Sequence, residues 1–401
     1  MSETTKVPWA EEPNLAEKPA GVEYGYVSID GPGRKPTLHG STLEELKVKV
    51  ESGEAVQVVM PGFERVAPPS IVEELWPAVQ ERERHRRASE RKNSFINLCL
   101  FGAIALYSFK SRDSAWQMVL ILFVLFGVVP MGQYLIGALR RKIQGEPTFD
   151  ETRQRTLFAF WLGAGDVLAT RWCVRAIIAI FVAQVAAAAL GSGDFFAGLF
   201  QNAFVIQGRE TIEAAALTKP LDGDWWRLLT CGLVHGGLLH IGFNMMAFKS
   251  VGEVLERFYG RSVLLITFLL SVLGGSIASV TLMPGKPSVG ASGGILGLVG
   301  FLLVVGLRHR AVLPPDLAKS IVRSVLFMAA LGWLAKDYID NAAHAGGFLV
   351  GCLLALPLSK DVRQLGRYQE SGWMKKCGWA TAAVLALTGA WVLVRLALVG
   401  R

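Results

Sequence analysis

Three groups of polar residues interrupt otherwise apolar stretches, where ionisable and strongly polar side chains are costly to keep. In CGLVHGGLLHIGFNMM, His235, His240 and Asn244 supply two imidazoles and an amide. His240 and Asn244 are four residues apart and share a helical face, whereas His235 would lie about 140° from His240 if one helix carried both. In PSVGASGGILGLVG, Ser292 is flanked by Gly290, Gly293 and Gly294 at the expected start of a helix. Free N–H groups and the positive dipole end there suit a developing oxyanion, and glycine permits close backbone approach. In NAAHAGGFLVG, His344, Gly347 and Gly351 fall on one face. Gly293 and Gly297 give the serine helix a matching small-residue surface.

Each group also has a plain structural reading: interhelical hydrogen bonding, small-residue packing, or an ordinary packed histidine. A metal site fits poorly. Zinc-binding helices pair two histidines at i, i+4 with a glutamate, and no carboxylate lies near His235 or His240 in the sequence.

The elements that must position these groups are apolar. Of 401 residues 52% are hydrophobic and only 18% charged, with a mean hydropathy of +0.38. Long apolar runs alternate with short basic clusters, the pattern of an all-α polytopic membrane protein. This argues against a soluble enzyme, a nucleic-acid-binding protein and a disulfide-stapled secreted domain. The net charge of +8 reads as a topology signal. The five cysteines contain no CxxC pair and read as small buried hydrophobes. No cleavable signal peptide is expected at the start of the chain.

Nine apolar segments are expected to span: 94–109, 115–137, 172–190, 228–248, 262–283, 293–307, 320–335, 341–357 and 378–398. With the N-terminus in the cytoplasm, the inner connections carry 25 of the 41 Lys and Arg and the outer ones 9. That asymmetry follows the positive-inside rule and places the C-terminus outside. Ser292 and His344 then begin spans of the same sense, at one depth. His240 falls somewhat deep, about 15–20 Å along a helix counted from Trp226 and Arg227.

The organisation expected along the chain begins with a disordered, Pro-rich tail (1–21) and a small soluble α+β module (22–76). In the module YGYVSI and EAVQVVMPG read as strands, DGPGR as a turn, and LEELKVKVESG as a helix capped by Thr42 and Glu45. A basic linker (77–93), a two-helix membrane hairpin (94–139) and an interfacial amphipathic segment (140–171) follow. The core occupies 172–358, and 359–401 holds a linker and an extra C-terminal span.

The combined pattern resembles the rhomboid family of intramembrane serine proteases. The resemblance rests on Trp226-Arg227, on His235, His240 and Asn244 as HxxxxHxxxN, on GxSG at Gly290–Gly293, and on AHxxGxxxG at Ala343–Gly351. It covers about residues 172–358. It implies a six-helix core, here with two N-terminal spans and one C-terminal span added, and a Ser292–His344 dyad without an acidic third member. His344 would act as base and then acid. The backbone N–H of Ser292 with the side chains of Asn244 and His240 would hold the oxyanion, each donor contributing about 3–4 kcal/mol. Trp226, Arg227 and His235 would be structural, in or beside a loop at 191–227. The span 320–335 and the KDYIDN loop would form a mobile gate and cap. The partners implied are transmembrane-helix protein substrates and the lipid bilayer, with no nucleic acid, metal or cofactor, in a multi-pass protein of a bacterial inner membrane. Where the family often has an aromatic residue four positions after the serine, this chain has Leu296.

Rival readings are a rhomboid-like pseudoprotease, a transporter and an aspartyl intramembrane protease. The intact Ser292 and His344 argue against the first, and the lack of an inverted repeat against the second. GxGD occurs at Gly163–Asp166 and Gly191–Asp194, but neither aspartate falls within an apolar span.

Overall fold

The computed structural model describes residues 8–10, 17–28, 36–111, 116–190, 216–217, 223–283, 287–334, 339–361, 365–366 and 368–399. The expected turn at 30–34, most of the tail and of the loop 191–227, and residues 336–338 of the KDYIDN loop lie outside them. Two compact units divide the chain, one from Trp9 to Trp161 and one from Leu162 onward.

The first unit opens with an antiparallel sheet of β1 (Gly25–Ser28), β2 (Thr37–Gly40) and β3 (Gln57–Val59) in the order β2-β1-β3. Gly25 sits opposite Gly40 on one side and Val59 on the other. The sequence reading anticipated β1 and β3. It missed β2, whose TLHG has no apolar alternation and is held through β1: His39 stacks on Tyr26 at 4.9 Å and its Nε2 lies 3.0 Å from Ser28 Oγ. Helix α1 (Leu43–Ser52) has the expected capping box. Thr42 Oγ1 accepts from the Glu45 N–H, and Glu45 accepts from the Thr42 N–H at 3.0 Å. Gly53 ends the helix at φ 82°, a left-handed conformation that glycine takes without strain. Leu46 and Val50 of α1 pack with Val58 and Leu75 in the module core.

Helix α2 (Trp76–Lys110) runs unbroken through the basic stretch into the first apolar segment. Pairs at i, i+3 and i, i+4 (Glu81–Arg84, Glu83–Arg86 and Arg86–Glu90) support a helix there, and no glycine or proline interrupts it between Pro77 and Gly102. The second apolar segment is α3 (Trp116–Phe123) and α4 (Val129–Gln144), joined by a π-helical turn at Val124–Val128. Pro130, which has no N–H to return to the preceding turn, follows that widening. Helix α5 covers Phe149–Gly163.

The second unit contains α6 (Leu168–Leu190), a single turn α7 (Arg227–Thr230), α8 (Leu238–Leu282), α9 (Ser292–Arg308), α10 (Pro315–Leu334), α11 (Asn341–Leu358) and α12 (Gly372–Val399). Helix α8 is two helices meeting at Gly260 (φ 86°, ψ 175°). Two carboxylates from elsewhere in the chain close helix starts in this unit. Glu256, 4% exposed, accepts from the N–H groups of Ala169 and Thr170 at 2.9 and 2.8 Å and from the Thr170 hydroxyl at 2.7 Å. Glu370 accepts from the N–H and hydroxyl of Ser262, both at 2.7 Å, where α8 restarts.

Four described helices are long and apolar enough to cross a membrane: Leu168–Leu190, Leu238–Leu282, Asn341–Leu358 and Gly372–Leu398. Ser292–Arg308 is apolar but shorter. The protein is an all-α polytopic membrane protein with a small N-terminal β-module. The nine-segment count is met only in part. Segment 94–109 is the second half of a longer helix, 115–137 is split by the π turn, and 228–248 becomes helical in earnest only at Leu238. All five cysteines are free, and Cys99 is exposed, unlike the buried Cys231.

Candidate active site

Helices α9 and α11 meet through their backbones. A Cβ added to Gly347 would collide with the carbonyl of Gly293, and one added to Gly351 with that of Gly297. The second half of α8 joins them: Gly275 lies where a Cβ would come 2.6 Å from the Ala343 carbonyl, and a Cβ on Gly346 would be 2.8 Å from the Gly274 carbonyl. Small residues thus let three helices approach to backbone contact, the packing that membrane helices favour. The expected match of Gly293 and Gly297 with Gly347 and Gly351 is present.

This packing sets the register of two side chains. Ser292 is the first residue of α9, and His344 stands in the first turn of α11. His344 Nε2 lies 2.7 Å from Ser292 Oγ, hydrogen-bond distance between residues 52 apart in sequence. Both are partly exposed. Asp340 caps α11, accepting from the Ala343 N–H at 2.9 Å and from the hydroxyl of Ser279 on α8. The start of the histidine helix is therefore tied to α8.

The sequence reading placed His235 and His240 on one helix; the structure does not. Residues 231–237 form turns after α7, and α8 begins at Leu238. His240 therefore lies in the first turn of α8, and His235 precedes the helix altogether. The N–H of Gly236 donates to His240 Nδ1 at 3.3 Å, so the proton of the neutral ring sits on Nε2. That nitrogen faces Gly290, where a Cβ would come within 2.7 Å. With φ at 117°, Gly290 holds a conformation that L side chains rarely adopt. Asn244 is buried and donates to the His240 carbonyl at 2.8 Å. His235 is fully buried, and its Nε2 accepts from the N–H of Ala291, beside Ser292, at 3.4 Å. Leu296 is buried on α9.

The loop leading to this site is held by Arg227, which donates to Asp224 at 2.8 Å and to the Ala216 carbonyl at 3.0 Å. Its guanidinium lies over the Trp226 ring at 4.5 Å and keeps the Asp224 carboxyl below the usual carboxylate range. Leu217 and Ser288 exchange backbone bonds, and the N–H of Gly290 donates to the Cys231 carbonyl at 2.8 Å. Asp166 of the first GxGD lies between α5 and α6, 3.3 Å from Arg261 and 3.9 Å from Arg171; Asp194 lies outside the described residues. Sequence reasoning missed Gln184, the lone amide of the apolar run IIAIFVAQVAAAAL, which bonds the His235 backbone. It also missed the capping role of Asp340.

These features define a multi-pass membrane protein whose serine and histidine converge at the starts of two glycine-packed helices. A model of the rhomboid domain matches residues 222–361. The putative rhomboid protease YdcA of Bacillus subtilis (strain 168) is 32% identical over 152 residues, covering 38% of this chain and 75% of that protein. The chain belongs to the rhomboid family. Rhomboid protease GluP of the same organism is 39% identical over 136 residues, and RHOMBOID-like protein 4 of Arabidopsis thaliana 36% over 151. These matches cover 34% and 37% of this chain, but the chain spans only 26% and 38% of those relatives' lengths.

Proposed function

We propose that the protein is an intramembrane serine endopeptidase that cleaves single-span membrane proteins near the extracytoplasmic face. The observation that carries this reading is the 2.7 Å approach of His344 Nε2 to Ser292 Oγ. A neutral imidazole there takes the hydroxyl proton as Oγ bonds to the scissile carbonyl carbon. Collapse of the tetrahedral intermediate breaks the C–N bond, and His344 returns the proton to the departing amine. Water, deprotonated by the same imidazole, then releases the acyl group. The Ser292 N–H and His240 Nε2–H are the donors for the oxyanion, with the Asn244 amide as a third. Names of relatives such as rhomboid protease GluP agree with this chemistry.

In this reading 172–358 is the catalytic core of six spans, with the 94–139 hairpin and the last helix as additions. The soluble module is 22–76, 77–93 a basic linker and 140–171 an interfacial segment. The N-terminus lies in the cytoplasm of a bacterial cell and the C-terminus outside.

Labelling with a fluorophosphonate probe tests the proposal. The unsubstituted protein should be modified at Ser292, whereas Ser292→Ala and His344→Ala should take up no probe and cleave no substrate. Equal labelling of Ser292→Ala would remove the assigned nucleophile.

A further inference from the structure

We propose that Gln184 is a positioning residue for the oxyanion side of this site, a role that rests on reading Ser292 as the nucleophile. Gln184 is fully buried in α6. Its Oε1 accepts from the N–H of His235 at 3.0 Å, and its Nε2 donates to the carbonyl of the same residue at 3.1 Å. One amide thus satisfies both main-chain groups of a buried residue that lies between two helices. Left unpaired, those groups would carry the cost of any orphaned buried peptide.

Two links run from His235 to the reacting groups. The carbonyl held by Gln184 belongs to the same peptide as the Gly236 N–H. In a trans peptide these point in opposite directions, so anchoring the carbonyl aims that N–H. It points at His240 Nδ1, 3.3 Å away, and keeps the proton of His240 on Nε2, facing Gly290. The second link is the His235 ring. Its Nε2 accepts from Ala291, next to Ser292, and the ring packs edge-on against His240 at 5.1 Å. Without Gln184 the peptide can rotate, and the tautomer and direction of His240 are no longer set.

The test compares full-length protein in nanodiscs with Gln184→Met, which keeps the bulk but not the amide, and with Gln184→Asn, whose amide stops one methylene short. Each variant should lose about 10- to 100-fold in kcat toward a single-span substrate, a size typical of misplaced catalytic groups. KM should stay within about twofold, since substrate docking is untouched. Imidazole 15N spectra of the six histidines, with His240 assigned through His240→Ala, should show His240 protonated on Nε2 in the parent and mixed in both variants. If Gln184→Met does not fold, Gln184→Asn decides. Parental kcat in a folded variant, or an unchanged His240 tautomer, overturns the role of Gln184 alone. Absence of Ser292-dependent probe labelling in the parent overturns the underlying reading, and the proposal with it.

Discussion

Glycine brings helices together in both units, and what each glycine meets sets how much the contact can give. In the second unit Gly347 and Gly351 press on backbone carbonyls of α9. In the first, Gly102 of α2 lies against the ring of Phe123, where an added Cβ would come 3.3 Å from a ring carbon, whereas Gly127 of the π turn meets that ring at 3.1 Å and also the Leu98 Cα of α2 at 3.3 Å. Phe101 and Phe126 stack nearby at 5.4 Å. A ring can tilt to admit a methyl group, whereas a carbonyl already bonded within its helix cannot move without moving the helix. Contact through main chain therefore transmits position, and contact through side chains supplies adhesion. The 2.7 Å approach of His344 Nε2 to Ser292 Oγ depends on the first kind.

The sharpest way to break this contrast is Gly351→Ala. Overpacking against the Gly297 carbonyl should cost about 2–3 kcal/mol and abolish probe labelling of Ser292, measured by thermal melting in detergent and by labelling rate. Full labelling at parental melting temperature would show that this seam yields as easily as the hairpin. Next in size is Glu256→Ala, which strips a buried carboxylate from three donors at the start of α6. A loss of about 2–3 kcal/mol is expected from hydrogen bonds to a charged acceptor, read in the same melts. Gly102→Ala is the mirror of the first substitution. Its melting temperature should change little, because Phe123 gives way and alanine favours the helix by up to about 1 kcal/mol. A large destabilisation would erase the distinction between the two seams.

The smallest effects belong to the soluble module. Thr42→Ala removes the cap of α1 and should cost about 1 kcal/mol without altering cleavage. Lys49 beside Glu54, 2.7 Å away, holds the Glu54 carboxyl below its ordinary range. A carboxylate with a depressed folded pKa stabilises the fold above its unfolded pKa, about 4.3, and that contribution fades as pH falls through the folded value. Glu54→Gln should therefore flatten the module's acid melting curve below about pH 4.3, and an unchanged curve would discount the pair.

Much of the site was legible because its parts are rare in their surroundings. A histidine or a glycine-flanked serine inside an apolar run stands out from sequence alone, and the glycine spacings of α9 and α11 state which faces meet. What was not legible depends on backbone geometry. Gly232 and the Gly236-Gly237 pair in RLLTCGLVHGG mark the break between Thr230 and Leu238, but the apolar run 228–248 was read straight across them, so His235 was set on the wrong element. Asp340 reads as a loop residue until its helix is known to begin one position later. Gln184 was visible as a polar intruder, but its partner is a main chain, and main chains leave no pattern. Strand β2 escaped for the same reason, since pairing with β1 holds it more than any alternation of its own.

The backbone seam between α9 and α11 also bears on how such a chain can vary by inheritance. The connection between α9 and α10 can gain or lose codons while the residues of the seam keep their own register. A single codon inserted between His344 and Gly351 would turn the imidazole about 100° relative to the glycines below it, away from Ser292. Length polymorphism should be tolerated in that connection and purged from the stretch of α11 that joins His344 to Gly351.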